Sequence, residues 1–262
     1  MRSRLLLMSL MAILAGVLIG VSPAQAVIGG GDDGGAHPYV GVVASADGSI
    51  CSGSAISPRV VMTAAHCGAH GARTKFYFDV DGSGFLGDTV TPGFDGVAEG
   101  TVHQYPGFCA PCSSRLPASA TPDLAIIVLD EPIALPRYAQ LPPVGIIDTL
   151  KNPALTYVGY GASGIARLPG TGAPVLTFTT SFVRQSATGQ GITNNGMLTS
   201  DFLPLSSKQQ VRLCFGDSGS PVLRGDTAVA VLSFLNGSYC SSTSYAFRID
   251  SPATLGFIRS FL

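Results

Sequence analysis

Three short segments hold residue types that could perform nucleophilic chemistry. Met62-Thr-Ala-Ala-His66-Cys67 offers an imidazole, and Thr121-Pro-Asp123-Leu-Ala-Ile-Ile127 offers a carboxylate at the start of an apolar run. Cys214-Phe-Gly216-Asp217-Ser218-Gly219-Ser-Pro221 offers a hydroxyl. A serine hydroxyl is a poor nucleophile at neutral pH and needs a base within hydrogen-bond reach. An imidazole titrates near neutrality, so it can take that proton and return it to a leaving group. Two further motifs offer other chemistry. Cys109-Ala-Pro-Cys112 is a C-x-x-C pair. Its redox use needs a strand–helix setting, whereas here it sits among Pro, Gly and Ser, so a small structural ring is expected. Asp79-Val-Asp81-Gly-Ser83-Gly84 matches the opening of a calcium loop. The twelfth position is Val90 rather than Glu, and Phe76-Tyr77-Phe78 reads as strand, so a polar turn without metal is expected.

The elements around these motifs are short. The chain has 262 residues, 46% hydrophobic and only 12% charged, which excludes wholesale disorder and gives ample core. Its 33 Gly and 18 Pro imply many turns, which suits an all-β chain better than a helical bundle. Runs rich in β-branched or aromatic residues recur at Tyr39–Ala44, Val60–Met62, Lys75–Val80, Leu124–Leu129, Thr156–Tyr160, Leu176–Val183, Val222–Leu223, Ala228–Phe234 and Tyr245–Ile249. One late helix is expected over Ser251–Leu262, with Ser251 as N-cap and Pro252 in the first position. The Pro-rich residues 132–153 read as a connector between two halves of similar length. A net charge of −1 gives no blanket attraction to nucleic acid or an anionic membrane.

The N-terminus carries Arg2 and Arg4, an apolar stretch from Leu5 to Val21, and Ala24-Gln25-Ala26. That is the pattern of a secretory signal peptide over residues 1–26, after which the protein leaves the membrane. The rival, an uncleaved anchor, would have to span with a stretch at the short end of what crosses a bilayer. All six cysteines, Cys51, Cys67, Cys109, Cys112, Cys214 and Cys240, follow that segment. An even count in an exported chain favours disulfides, and six cysteines allow about fifteen pairings that spacing cannot separate.

Taken together and in this order, the three segments resemble the trypsin/chymotrypsin-like serine proteases. Val27-Ile-Gly-Gly30 is similar to that family's mature N-terminus, Cys51-Ser-Gly-Ser54 to the strand before its histidine, and the last residues to its C-terminal helix. The resemblance implies two six-stranded antiparallel β-barrels, residues 27–142 and 143–262, packed face to face with the site between them. It implies His66 as general base, Asp123 as the group that orients it, and Ser218 as nucleophile, with Gly216 and Ser218 N–H groups facing the oxyanion. Asp130 is the rival carboxylate, but it ends the apolar run that Asp123 begins. His37, His70 and His103 lack the flanking motif. The resemblance further implies the pairs Cys51–Cys67 and Cys214–Cys240, leaving Cys109–Cys112. Ser233 matches a serine near the aspartate, and Ser233, Phe234 and Leu235 would line an extended substrate. A new amine on Val27 would pair with Asp217.

The sequence departs from the family at the specificity pocket. The pocket base falls on Arg212, where trypsin-like enzymes have Asp. Arginine there repels Lys and Arg side chains, so cleavage after small apolar or acidic residues is expected. Leu235 stands where many members have Gly, which would narrow the pocket. The expected protein is a secreted, monomeric serine endopeptidase without cofactor or metal. Its partners would be peptide or protein substrates and protein protease inhibitors, not nucleic acid. A catalytically silent binding protein of the same fold is the alternative.

Overall fold

The structure, a computed structural model, describes residues 27–262 apart from 47, 79–84, 87–88, 91–95, 110–120, 163, 178–182, 194–200, 207–210, 236–239 and 241–242. The expected signal segment, the expected Asp79–Gly84 turn and Cys112 therefore lie outside the described residues. In the first half run β1 (Gly31–Asp32), β2 (Val40–Ser45), β3 (Ile50–Ser57), β4 (Val60–Thr63), β5 (Arg73–Tyr77), β6 (Phe85–Leu86), β7 (Thr89–Val90), β8 (Val97–Gln104) and β9 (Ala125–Leu129). In the second run β10 (Ala154–Gly159), β11 (Gly164–Arg167), β12 (Pro174–Thr177), β13 (Gln185–Gln190), β14 (Phe202–Leu205), β15 (Pro221–Arg224), β16 (Thr227–Leu235) and β17 (Ser244–Arg248). Helix α1 (Pro252–Arg259) closes the chain.

The expected first barrel is present, closed in the order β2-β3-β4-β9-β8-β5. Its β4 and β9 are short, mostly apolar runs, and all four residues of β4 are buried. The second half differs in detail from the expected closed barrel. It is a seven-stranded sheet, β1-β13-β10-β15-β16-β17-β14. Its β14 edge meets the continuation of β13 through a single bridge, Gly191 with Leu205, flanked by bonds from Ile192 N–H to Pro204 O and Ser206 N–H to Gln190 O. The extra strand is β1, carried over from the N-terminal segment and paired with β13. One buried cluster runs across both halves, joining Val42, Phe76 and Ile126 to Val158, Val231 and Phe247.

Strands β1, β6, β7, β8, β11, β13 and β14 were not among the runs read from sequence, β3 was expected only through the family resemblance of Cys51–Ser54, and α1 is shorter than expected. Ser251 caps it through the Thr254 N–H, with Pro252 in the first turn. It ends at Arg259 because the chain tightens there: Phe261 N–H bonds to Ile258 O and Leu262 N–H to Arg259 O, a three-residue spacing. The connector holds both halves. Ala139 N–H bonds to Ala55 O, and Gln140 bridges Thr227.

A buried charged cluster fixes the N-terminal segment. The wholly buried Arg184 donates from Nε to Asp33 Oδ2 (2.8 Å) and from Nη1 to Val40 O (2.9 Å). His37 lies on the other Asp33 oxygen, with Nδ1 at 2.5 Å. Burial works to raise the Asp33 pKa, but the His37 and Arg184 bonds outweigh it and hold the carboxyl at about 2.

Candidate active site

His66 sits on one turn of 3-10 helix, Ala65–Cys67, directly after β4. No side chain caps the start of that turn, and Gly68 ends it. Its carbonyls are met instead by neighbouring strands. Gln104 Nε2 of β8 donates to Ala65 O (2.9 Å) and Gly68 O (3.0 Å), and Ser45 Oγ of β2 donates to Cys67 O. The Cys51–Cys67 disulfide ties the turn to β3, with Cα atoms 6.0 Å apart.

Asp123 lies just before β9 and is 4% exposed. Its Oδ1 accepts the His66 backbone N–H (3.0 Å), and its Oδ2 faces His66 Nδ1 at 2.7 Å. Oδ2 also accepts the Ser233 hydroxyl at 2.5 Å. Ser233 reaches it because the β16–β17 register shifts between Leu232 and Phe234, and such a bulge re-aims a side chain. Burial raises the Asp123 pKa, yet the bonds from His66 and Ser233 prevail and keep it below the usual carboxylate value. An ionised Asp123 only accepts, so His66 Nδ1 must carry a proton. That leaves the Nε2 lone pair of the neutral ring as the basic site.

Ser218 lies in the loop before β15. Its carbonyl accepts the Ser52 N–H (2.8 Å). The next residue packs against the histidine strand: Gly219 has φ +81°, and a Cβ on it would stand 2.1 Å from Thr63 Oγ1 and 2.3 Å from Ser52 O. Only glycine lets the Ser218 loop come this close. Among the described residues no hydrogen bond joins the Ser218 hydroxyl to His66. Such contacts are often long before substrate binds. Neither Gly216 N–H nor Ser218 N–H donates to a protein group among the described residues.

Asp217 is fully buried. Burial pushes its pKa up to about 7, against the lowering bonds from Cys214 N–H and Gly161 N–H, both 2.9 Å. It lies in a cradle of Gly159 and Gly161, where a Cβ would come within 2.3 and 2.5 Å of the carboxyl group. No cation pairs with Asp217 among the described residues. Val27 is also fully buried, in an apolar cluster with Leu213 and Leu205.

The other expected site residues are placed as follows. The Arg212 N–H bonds to Ile28 O (2.8 Å), and this half-buried residue makes no ion pair with a carboxylate among the described residues. Phe234 stacks on Tyr245 with ring centroids 4.8 Å apart, and Leu235 packs against the Cys214–Cys240 pair. Residues 207–210 and 236–239, close in sequence to Arg212 and Leu235, lie outside the described residues. Cys109 is disulfide-bonded. Among the described residues, Cys51, His66 and Cys67 form the one cluster with metal-ligand spacing, but its two sulfurs are bonded to each other and are not thiolates. Sequence reasoning missed Gln104, Ser52 and the Gly159–Gly161 cradle; the glycine pair on either side of Tyr160 was the one visible signal.

A family model described as Trypsin matches residues 27–257. Among solved structures, the scabies mite inactivated protease paralogue S-D1 is similar at 15% identity and TM-score 0.64, over 88% of this chain and 95% of that one. HL collagenase is similar at 19% identity and TM-score 0.63, over 92% and 97%. Human heparin binding protein is similar at 17% identity and TM-score 0.64, over 89% and 96%. At these identities the likeness is one of fold. Comparison with curated protein sequences returns no match.

Proposed function

Because the chain belongs to the trypsin family, we propose that it is a secreted serine endopeptidase that cleaves peptide bonds through an acyl-enzyme. The observation that supports this most directly is the double hold of Asp123 on His66, through the backbone N–H and the ring Nδ1. It fixes both the tautomer and the direction of the ring.

In this reading His66 Nε2 takes the Ser218 proton as Oγ attacks the substrate carbonyl. The imidazolium that forms is stabilised by ionised Asp123. The Gly216 and Ser218 N–H groups receive the oxyanion, and a donor of this kind contributes roughly 100- to 1,000-fold in rate. The C–N bond breaks as His66 passes its proton to the leaving amine. Water then attacks the acyl-enzyme by the same proton route and frees the carboxylic acid. Backbone groups of Ser233–Leu235 extend past β15, where a substrate strand can add.

The two halves, 27–142 and 143–262, contribute His66 with Asp123 and Ser218 respectively. The working unit is a monomer without metal or cofactor, open to protein inhibitors. The residues at the pocket, Arg212 and Leu235, disfavour cleavage after Lys or Arg. Export is supported by Ala24-Gln-Ala26 before Val27 and by disulfides, which persist in oxidising compartments. Cleavage after Ala26 would itself free the Val27 amine that pairs with Asp217, so no separate propeptide is needed.

A fluorophosphonate probe tests the reading. It should label Ser218, and the labelled protein should lose peptidase activity in step. The second reading, a silent binding protein of the same fold, draws on the inactivated scabies mite paralogue and the heparin binding protein among the similar structures. It requires that Ser218 stay unlabelled and that no peptide in a broad library be cut.

A further inference from the structure

Four consecutive peptide groups make up the Phe215–Gly219 turn, and their hydrogen bonds alternate. The Phe215 carbonyl accepts Ala162 N–H and the Asp217 carbonyl accepts Ser220 N–H, while the N–H groups of those two peptides, on Gly216 and Ser218, donate to no protein group among the described residues. The other two peptides are bonded at both ends. Asp217 N–H donates to Cys214 O (3.0 Å) and Gly219 N–H to Leu232 O (2.8 Å). Their carbonyls both go to Ser52: Gly216 O accepts Ser52 Oγ–H (2.9 Å), and Ser218 O accepts Ser52 N–H (2.8 Å).

Ser52 is fully buried, and every polar group used here is matched. Its hydroxyl also accepts Tyr160 N–H (3.1 Å), and its carbonyl accepts Thr63 Oγ1–H (2.8 Å) from the strand that leads to His66. A peptide plane bonded at both edges cannot rotate without breaking one bond. Holding the second and fourth planes, with the Phe215 and Asp217 carbonyls bonded to Ala162 and Ser220, restricts the direction of the N–H groups on the first and third.

We propose that Ser52 is a positioning residue, whose hydroxyl sets the orientation of the Gly216 and Ser218 N–H groups relative to the His66 turn. The proposal rests on the serine endopeptidase reading. The hydroxyl touches no reacting atom; it acts through Gly216. Its effect is greatest where charge develops on the substrate oxygen, so it belongs to the transition state more than to ground-state binding.

The test is Ser52→Ala in the protein starting at Val27, with activity counted per fluorophosphonate-labelled site so that unfolded material drops out. The expected result is kcat lowered roughly 10-fold or more with KM within about twofold, and affinity for a peptide boronate lowered by the same factor as kcat. Ser52→Thr, which keeps the hydroxyl, should restore most of kcat. Ser52→Gly deletes the same group and replaces Ser52→Ala if that variant does not fold. Wild-type kcat per labelled site in the Ala or Gly variant overturns the proposal alone, as does a drop in Ser52→Thr equal to that in Ser52→Ala. A wild-type protein that neither labels nor cleaves overturns the endopeptidase reading, and the proposal with it.

Discussion

Gly219 and Thr63 are packed so closely that a Cβ on residue 219 would stand 2.1 Å from the Thr63 hydroxyl oxygen. One residue from Ser218 and three from His66, this contact sets how near the two turns come. Gly219→Ala would also hold an L side chain at φ +81°. Overpacking and backbone strain together should cost about 3 kcal/mol. The displaced turn should lower kcat/KM about 100-fold. Urea unfolding and kinetics on the same preparation check both; wild-type activity would mean the turns are positioned by something else.

Ser218→Ala, His66→Ala and the double variant should be inactive to a similar degree, each down about 10⁴-fold or more, because residues acting as one unit lose it together. Circular dichroism should show all three folded. Turnover near wild type in purified Ser218→Ala would remove the assignment of the nucleophile.

With Arg212 at the proposed pocket base, its positive charge would face the substrate side chain. A peptide library should show cleavage after acidic or small apolar residues and little after Lys or Arg. If acidic residues lead, Arg212→Ala should erase that preference and keep cleavage after small residues. A profile dominated by Lys or Arg refutes the placement of Arg212 at the pocket base.

Asp217 gives a pH signature. With residue 26 still attached its pKa is about 7 against an ordinary 3.8. A raised carboxyl binds its proton more tightly in the folded state. Its support is therefore complete below about pH 3.8 and lost as pH rises through 7, about 4 kcal/mol in all. The form that keeps residue 26 should lose melting temperature across that window. The form beginning at Val27 should not, because its amine pairs with the carboxylate. Parallel thermal scans of both forms decide it, and identical pH profiles would sink the pairing.

Asp33 should behave in the opposite sense. Held at about 2 rather than 3.8, it supplies support that is complete above pH 3.8 and lost as pH falls through 2, about 2 kcal/mol. Asp33→Asn should abolish this acid limb and leave buried Arg184 without its carboxylate, a loss of about 3–5 kcal/mol. Denaturant unfolding between pH 2 and 5 measures both effects. An unchanged acid limb in Asp33→Asn would assign it to another group.

Much of the site was legible because its chemistry sits in contiguous motifs. His66, Asp123 and Ser218 each stand in a short segment with its own signature, and Ser233 was expected from the family resemblance of Leu232–Leu235. The strands that escaped notice lack such a signal. β13, Gln185-Ser-Ala-Thr-Gly-Gln190, has no apolar alternation, since it is held by pairing with β10 on one side and β1 on the other. β8 is interrupted by Glu99 and Gly100. Ser52 and Gln104 were illegible for a different reason. Each acts on backbone groups far along the chain, and a polar residue inside a strand looks the same whether it meets water or a distant carbonyl. The single-bridge closure at Gly191 and Leu205 likewise depends on loop geometry that residue types do not encode.

The pairing of β1 with β13, reinforced by Asp33 with Arg184, has a consequence for how the protein is made. The strands of the first barrel lie within residues 40–129, so that barrel can close while the rest of the chain is still being synthesised. The segment that precedes it cannot dock, because its partners are more than 150 residues away in sequence. Non-local pairings of this length are slow to form, and what awaits them stays open. The N-terminal residues thus remain accessible until the second half emerges, and the oxyanion turn, which belongs to that half, is completed at nearly the same moment. Assembly order alone delays the competent site until the whole chain is present.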